Sequence, residues 1–128
     1  MSKYSETNFL KSFSYARRGI LLALKSQRNF IRQLTMSAIA IILGFVLRFS
    51  ILEFCILIFA AALVLVAEIF NSAIEFTLDA VYKNKYSKLV GMAKDLAAAA
   101  VCTASCSTVI IGLLLFGSKI LSALKGVF

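Results

Sequence analysis

Ala67-Glu-Ile-Phe-Asn-Ser-Ala-Ile-Glu-Phe-Thr-Leu-Asp79 closes an apolar run that begins near Ile51, and it gains acidic residues without losing its helical pattern. Glu68, Asn71, Glu75 and Asp79 recur at spacings of three and four, which gathers them on one face of a helix. Hydrocarbon tolerates a carboxylate only where it is paired, hydrated or bound to a ligand. A stripe of them at the edge of a membrane span therefore reads as a functional site.

The rest of the composition agrees with a membrane setting. Of 128 residues 61% are hydrophobic, and proline and tryptophan are absent; the mean hydropathy is +0.92. These values exclude a disordered or ordinary soluble class and predict one small all-α integral membrane domain over 1–128. The net charge of +8, from 14 basic and 6 acidic residues, suits anionic lipid on a cytoplasmic surface, and nucleic acid is not expected as a partner. Cys55, Cys102 and Cys106 are odd in number and lie in apolar stretches, so they read as small buried hydrophobes and not as a disulfide framework. Histidine is absent, which removes the commonest general base and most zinc sites. No Gly-x-x-x-x-Gly-Lys phosphate loop occurs either.

Residues 1–33 carry Lys3, Lys11, Arg17, Arg18, Lys25, Arg28 and Arg32, while Phe9, Phe13, Ala16, Ile20 and Leu24 recur at spacings of three and four. This predicts an amphipathic helix lying in the headgroup layer. It is not read as a secretory signal, because the next apolar run goes on to span. That run, Leu34 to Leu47, predicts a first transmembrane helix over 34–50, with Arg32 and Arg48 snorkelling at its ends. A second is expected over 51–81, long enough to project beyond the hydrocarbon with its acidic turns. Tyr82 to Lys94 reads as a basic loop, and Asp95 opens a third span over 95–117 whose first half is crowded with Ala, Ser, Cys and Thr, as packed faces are. Basic residues concentrate in the N-terminal segment and the 82–94 loop, against Arg48, Lys119 and Lys125 on the other side. The first two are therefore expected in the cytoplasm, together with the acidic stripe.

Carboxylates beside lysines at such a surface suit phosphoryl transfer, with one to accept a proton, another to hold Mg²⁺, and cations to offset phosphate charge. Two other readings stay open on spacing alone. Glu75 or Asp79 could pair with Lys94 or Arg18 merely to pin helices together, or the acids could line an ion path in a small oligomer.

The stretch 67–79, the stretch Ala93-Lys-Asp-Leu-Ala-Ala-Ala-Ala-Val101, and the opening Ser12-Phe-Ser-Tyr-Ala-Arg-Arg-Gly19 followed by Arg28-Asn-Phe30 resemble the prokaryotic diacylglycerol kinase and undecaprenol kinase family. The resemblance covers nearly the whole chain. It implies a surface helix and three transmembrane helices per protomer, a homotrimer with shared active sites at the cytoplasmic face of a bacterial inner membrane, and MgATP-dependent phosphorylation of a lipid alcohol. Diacylglycerol is the wider label and undecaprenol the alternative; a non-catalytic membrane scaffold is the competing class.

On that resemblance Glu68 would be the general base. At the edge of the hydrocarbon it is poorly solvated and correspondingly a stronger proton acceptor. Asn71 would orient Glu68 or a phosphate, Glu75 would bind the metal, and Asp79, Lys94, Asp95 and Tyr15 would hold the nucleotide. Asn29 and Ala98, inside the matching stretches, would join Glu68 at the lipid substrate. Gln27 stands where many members have a metal-binding glutamate. Its amide oxygen can still ligate Mg²⁺ beside Glu75, with one negative charge fewer. Lys85, Tyr86 and Ser87 stand where some members have an acidic residue, tyrosine and histidine, and are carried over as nucleotide contacts.

Overall fold

The longest apolar stretch folds as expected: Ile51–Tyr82 is one unbroken helix of 32 residues, about 48 Å at 1.5 Å per residue. It is the third element of a computed structural model that describes residues 8–83 and 85–127. The elements are α1 (Phe9–Ser26), α2 (Arg28–Val46), α3 (Ile51–Tyr82) and α4 (Lys88–Val127). No strand occurs among the described residues. The last three helices are long and apolar enough to cross a membrane. The protein is thus an all-α polytopic chain with an amphipathic helix ahead of its spans.

The break between α1 and α2 comes earlier than the sequence suggests. Gln27 alone is extended, at φ −112° and ψ 100°. Its N–H closes α1 on the Ala23 carbonyl (2.9 Å), and its own carbonyl accepts from the Ile31 N–H (3.2 Å) to open α2. The expected surface region ran to residue 33; instead Arg28, Asn29, Phe30 and Arg32 form the first turns of the spanning helix. Long basic side chains look interfacial in sequence, yet their stems can lie along apolar surface while the charge reaches water. Phe30, among them, is buried.

The 82–94 loop also contracts. α4 begins at Lys88, where the Ser87 hydroxyl accepts from the Val90 N–H at 3.2 Å. This cap satisfies one of the free N–H groups of the first turn. The stretch 88–94 contains no proline and one glycine, Gly91, which a helix tolerates at a cost of about 1 kcal/mol, so α4 runs through it, and it ends at Val127 beyond the expected 117.

The α2–α3 turn is built from several coincident devices. Arg48 adopts φ 55°, Phe49 N–H reaches the Gly44 carbonyl (2.9 Å), and Arg48 N–H reaches that of Phe45 (3.2 Å). That is a Schellman ending with arginine in the left-handed position. Ser50 and Glu53 then form a reciprocal capping box at the start of α3. Lys119 of α4 joins them, 3.1 Å from the Glu53 carboxylate and 3.4 Å from the Arg48 carbonyl. Arg48 and Lys119 therefore share one end of the bundle, as the charge distribution requires. Phe49 stacks on Phe54 and Phe116 with ring centroids 5.7 and 4.9 Å apart.

Gly44 makes this corner possible. A Cβ there would lie 2.9 Å from the Phe54 ring, which is itself held between Phe45 and Phe49. Gly44→Leu should therefore lower stability by about 1–3 kcal/mol through overpacking, read as a shifted midpoint of unfolding in mixed micelles containing dodecyl sulfate. An unshifted midpoint would mean that the aromatic corner yields freely.

α3 packs against both α2 and α4 and supplies more of the interior than any other helix: Leu57, Ala60, Ala61, Val64, Glu68 and Ser72 are buried. The Thr108 hydroxyl donates to the Ala60 carbonyl at 3.1 Å and ties α4 to the middle of α3. The three cysteines do not lie in this core. All are exposed on the single chain, because they fall on the outward faces of α3 and α4, where a small apolar side chain can meet hydrocarbon or another helix.

Candidate active site

The acidic face of α3 changes character along its length. Glu68 is 4% exposed and lies among the buried residues that face α2 and α4. No cation lies within ion-pair distance of it among the described residues. The Ser72 hydroxyl donates to the Glu68 carbonyl at 2.9 Å, and so fixes the backbone beneath the carboxylate without neutralising it. One turn on, the Asn71 side-chain oxygen is buried with no hydrogen-bond partner among the described residues. Such an orphan acceptor is costly unless a ligand supplies the missing donor or cation. Glu75 is half-buried and makes no ion pair among the described residues.

At the open end, Asp79 and Lys94 form an ion pair of 2.8 Å, both about 40% exposed (42% and 39%). This is one arm of the helix-pinning alternative. A pair so exposed contributes little to stability and can reopen for a ligand. It forms one wall of a cavity of about 180 Å³ that Tyr82, Lys85, Tyr86 and Gly91 also line. The Tyr86 ring lies over Gly91, where a Cβ would make ordinary van der Waals contact with its hydroxyl at 3.5 Å. The structure thus gathers Asp79, Lys85, Tyr86 and Lys94 around one space. Tyr82 and Gly91 are additions that spacing did not single out, although both lie in the basic stretch 82–94.

Other expected residues lie elsewhere on the single chain. Ser87 caps α4, and Asp95 is exposed one residue beyond Lys94. Tyr15 is exposed on α1 with the Arg18 guanidinium 5.9 Å from its ring. Asn29 accepts from Arg32 at 3.4 Å, and Ala98 is exposed beside buried Ala97. Gln27 lines a second cavity, of about 140 Å³, whose α3 side is Ile69, Ser72, Ala73 and Phe76. These belong to the face of α3 next to the acidic stripe, about 100° around the helix. Among the described residues, no three or more His, Cys, Asp or Glu side chains converge as a metal cage. The available donors, the Glu75 carboxylate and the orphan Asn71 oxygen, are hard oxygens. They fit a Mg²⁺ ion that keeps phosphate and water as its remaining ligands, which is how this ion is usually held.

A surface helix, three spanning helices and a polar cleft of carboxylates and lysines at one end define a small polytopic membrane protein with a phosphate-compatible site. The sequence pattern of the prokaryotic diacylglycerol kinase family matches residues 14–116, and the chain belongs to that family of membrane lipid kinases. It is 38% identical over 112 residues to the undecaprenol kinase of Bacillus subtilis, covering 88% of this chain and 90% of that one. It is 36% identical over 106 residues to a diacylglycerol kinase of Synechocystis, covering 82% of this chain and 60% of that longer one. A diacylglycerol kinase of Haemophilus influenzae is 31% identical over 112 residues, covering 86% of this chain and 94% of its own.

Proposed function

We propose that the protein transfers the γ-phosphoryl group of MgATP to the hydroxyl of a membrane lipid, with diacylglycerol as the first substrate and undecaprenol as the alternative. The observation that carries this reading is the gradient along α3. Glu68, buried and with no ion pair among the described residues, lies some 16 Å by helical rise from a cation-lined cavity at Asp79 and Lys94. That length lets a nucleotide held at the Asp79–Lys94 end run its triphosphate along the stripe, so that the γ-phosphate meets the lipid hydroxyl beside Glu68.

Glu68 takes the proton of the lipid hydroxyl as its oxygen attacks the γ-phosphorus and the bond to the ADP oxygen breaks. Lys94 turns from Asp79 to the phosphates and offsets their charge. Asn71, whose acceptor oxygen has no partner among the described residues, fixes the reacting groups between them. Glu75 is the residue that would hold Mg²⁺, which would supply positive charge to offset that of the phosphates. The tyrosine at 86 walls the nucleotide end. Gln27 contributes at most a neutral ligand from the neighbouring face of α3.

The small exposed side chains Ala99, Cys102, Thr103 and Cys106 on α4 favour close helix association. They support a homotrimer in which a neighbour completes the site with Asp95, Tyr15, Asn29 and Ala98. The basic residues of α1 and of the segment before Lys94 support a cytoplasmic site in a bacterial inner membrane. Undecaprenol has its own support in the Bacillus relative.

The experiment is transfer of label from γ-labelled ATP to lipid, with purified protein in mixed micelles of diacylglycerol or of undecaprenol and Mg²⁺ varied widely. Phosphorylated lipid is expected, and the ratio of rates names the substrate. No product from folded protein at any Mg²⁺ concentration would return the stripe to a helix-pinning role.

A further inference from the structure

The cavity at Asp79 and Lys94 offers more than charge for phosphates. Its polar lining is rich in donors: the Lys85 and Lys94 ammonium groups and the Tyr82 and Tyr86 hydroxyls. Asp79 is the one carboxylate of that lining among the described residues, and its Oδ1 accepts from Lys94 at 2.8 Å. Hydroxyls both donate and accept, whereas an ammonium group only donates. Lys85 therefore gives the cavity a wall that reads an acceptor and cannot read a donor.

The position of Lys85 assigns it to the base end of a nucleotide and not to the phosphates. On the proposed reading the γ-phosphate lies beside Glu68, and the rest of the triphosphate runs towards Asp79 and Lys94. α3 ends three residues past Asp79, at Tyr82, and Lys85 follows in the turn, where its N–H donates to the Tyr82 carbonyl at 2.9 Å. Lys94 lies six residues into α4, about 9 Å of helical rise back towards the membrane. Lys85 thus stands farther along the path, where phosphates give way to ribose and base. Its neighbour Tyr86 is 87% exposed and presents an open aromatic face on which a base can stack. Stacking holds any base, because every base has a π-face. The choice among bases falls to polar groups at the base edge.

Purines differ at position 6. Adenine carries an amino donor there, while guanine and hypoxanthine carry a carbonyl oxygen. A lysine pairs with the O6 and N7 acceptors of guanine, whereas adenine is read by groups that both accept and donate. Facing Lys85, the adenine amino group meets a second donor, and the acceptor that could relieve it, Asp79, is held by Lys94. We propose that this site takes 6-oxopurine nucleoside triphosphates, GTP and ITP, at least as well as ATP, and that Lys85 sets the preference. The inference rests on the phosphoryl-transfer reading of the same cavity and specifies its donor. The transfer itself is unchanged: the lipid oxygen bonds to the γ-phosphorus, the bond to the diphosphate oxygen breaks, and Glu68 takes the proton.

The test compares kcat/KM for GTP, ITP and ATP with one lipid substrate in mixed micelles. GTP-to-ATP and ITP-to-ATP ratios at or above unity are expected for the wild type. ITP lacks the 2-amino group of GTP, so parallel behaviour of the two places recognition at the 6-oxo group. Lys85→Glu offers an acceptor to the adenine amino group and should lower both ratios about tenfold, the scale of one contact to a base edge. Lys88→Met, on the exposed first turn of α4 and outside the cavity lining, should leave them as in the wild type. Lys85→Met separates base from phosphate: loss of a base contact lowers the GTP and ITP values alone, whereas loss of a phosphate contact lowers all three alike. An equal fall in all three, or a wild type that prefers ATP, would overturn the assignment. Titration of the folded protein with the β,γ-imido analogues of GTP and ATP reads the same preference without turnover. A GTP-analogue preference that Lys85→Glu reverses, in protein that transfers no phosphate, would keep the base site and remove the kinase reading. Transfer whose nucleotide ratios are unmoved by either change at residue 85 would do the opposite.

Discussion

Glu68→Gln should reduce phosphoryl transfer by about 10²–10⁴-fold, the range a positioned general base contributes, while the protein remains folded and assembled. The amide has the shape of the carboxylate but no basicity at neutral pH. The hydrogen bond that Ser72 makes at this position is to the backbone carbonyl of residue 68, so the substitution leaves it intact. Stability should move in the opposite direction to activity. A carboxylate 4% exposed with no cation nearby among the described residues is costly to keep buried, and a neutral isostere removes that cost. Unfolding in dodecyl sulfate should therefore require as much denaturant as for wild type, or more. The helix-pinning reading gives another pattern, in which the variant either weakens assembly or changes nothing. Full activity in Glu68→Gln would transfer the proton-accepting role to Glu75.

That opposition between stability and activity reflects what was legible in the chain before its structure. Periodicity and composition were enough for α3, because its apolar face and acidic stripe run on one helical register from Ile51 to Asp79. They were not enough for the starts of α2 and α4. Arg28, Arg32, Lys88 and Lys94 look like headgroup-layer residues, and charge alone does not distinguish a loop from a helix whose side chains snorkel. The hinge at Gln27 illustrates the same gap. Family resemblance assigns it to metal, while the structure gives it the extended backbone that separates α1 from α2 and a place beside Ile69, Ser72 and Phe76. The pocket at Asp79 and Lys94 was readable from two distant motifs, since opposite charges on adjacent antiparallel helices find each other. The turn at Gly44, Arg48 and Ser50 was invisible beyond its brevity, because a left-handed arginine and a capping box depend on local hydrogen bonds that periodicity does not encode. The outward placement of the cysteines escaped for a related reason: an apolar stretch in a membrane has no obligation to face inward.

Glu75→Gln should raise the Mg²⁺ concentration for half-maximal rate at least about tenfold, because ligand charge governs the affinity of hard-cation sites over decades. The four acids and amides of the stripe are not equivalent. Glu68 is buried, Asp79 is engaged by Lys94 at 2.8 Å, and Asn71 is neutral. Glu75 is the stripe's remaining carboxylate with no ion pair among the described residues. On the proposed reading, its replacement removes the charge that would hold a phosphate-borne metal. Titration of Mg²⁺ into protein with a non-hydrolysable ATP analogue gives a readout independent of turnover and should show the same weakening. Gln27→Glu then decides what the departure at that position means. If the Gln27 side chain reaches across from the neighbouring face of α3, the added carboxylate should lower the Mg²⁺ requirement of the wild type and recover part of the affinity lost in Glu75→Gln. If both titrations are unmoved, Gln27 is not a metal ligand, and its contribution is the extended backbone that turns the surface helix into the first span. The metal would then rest on Glu75 and the phosphates alone, and the loss in Glu75→Gln would have no rescue from α1.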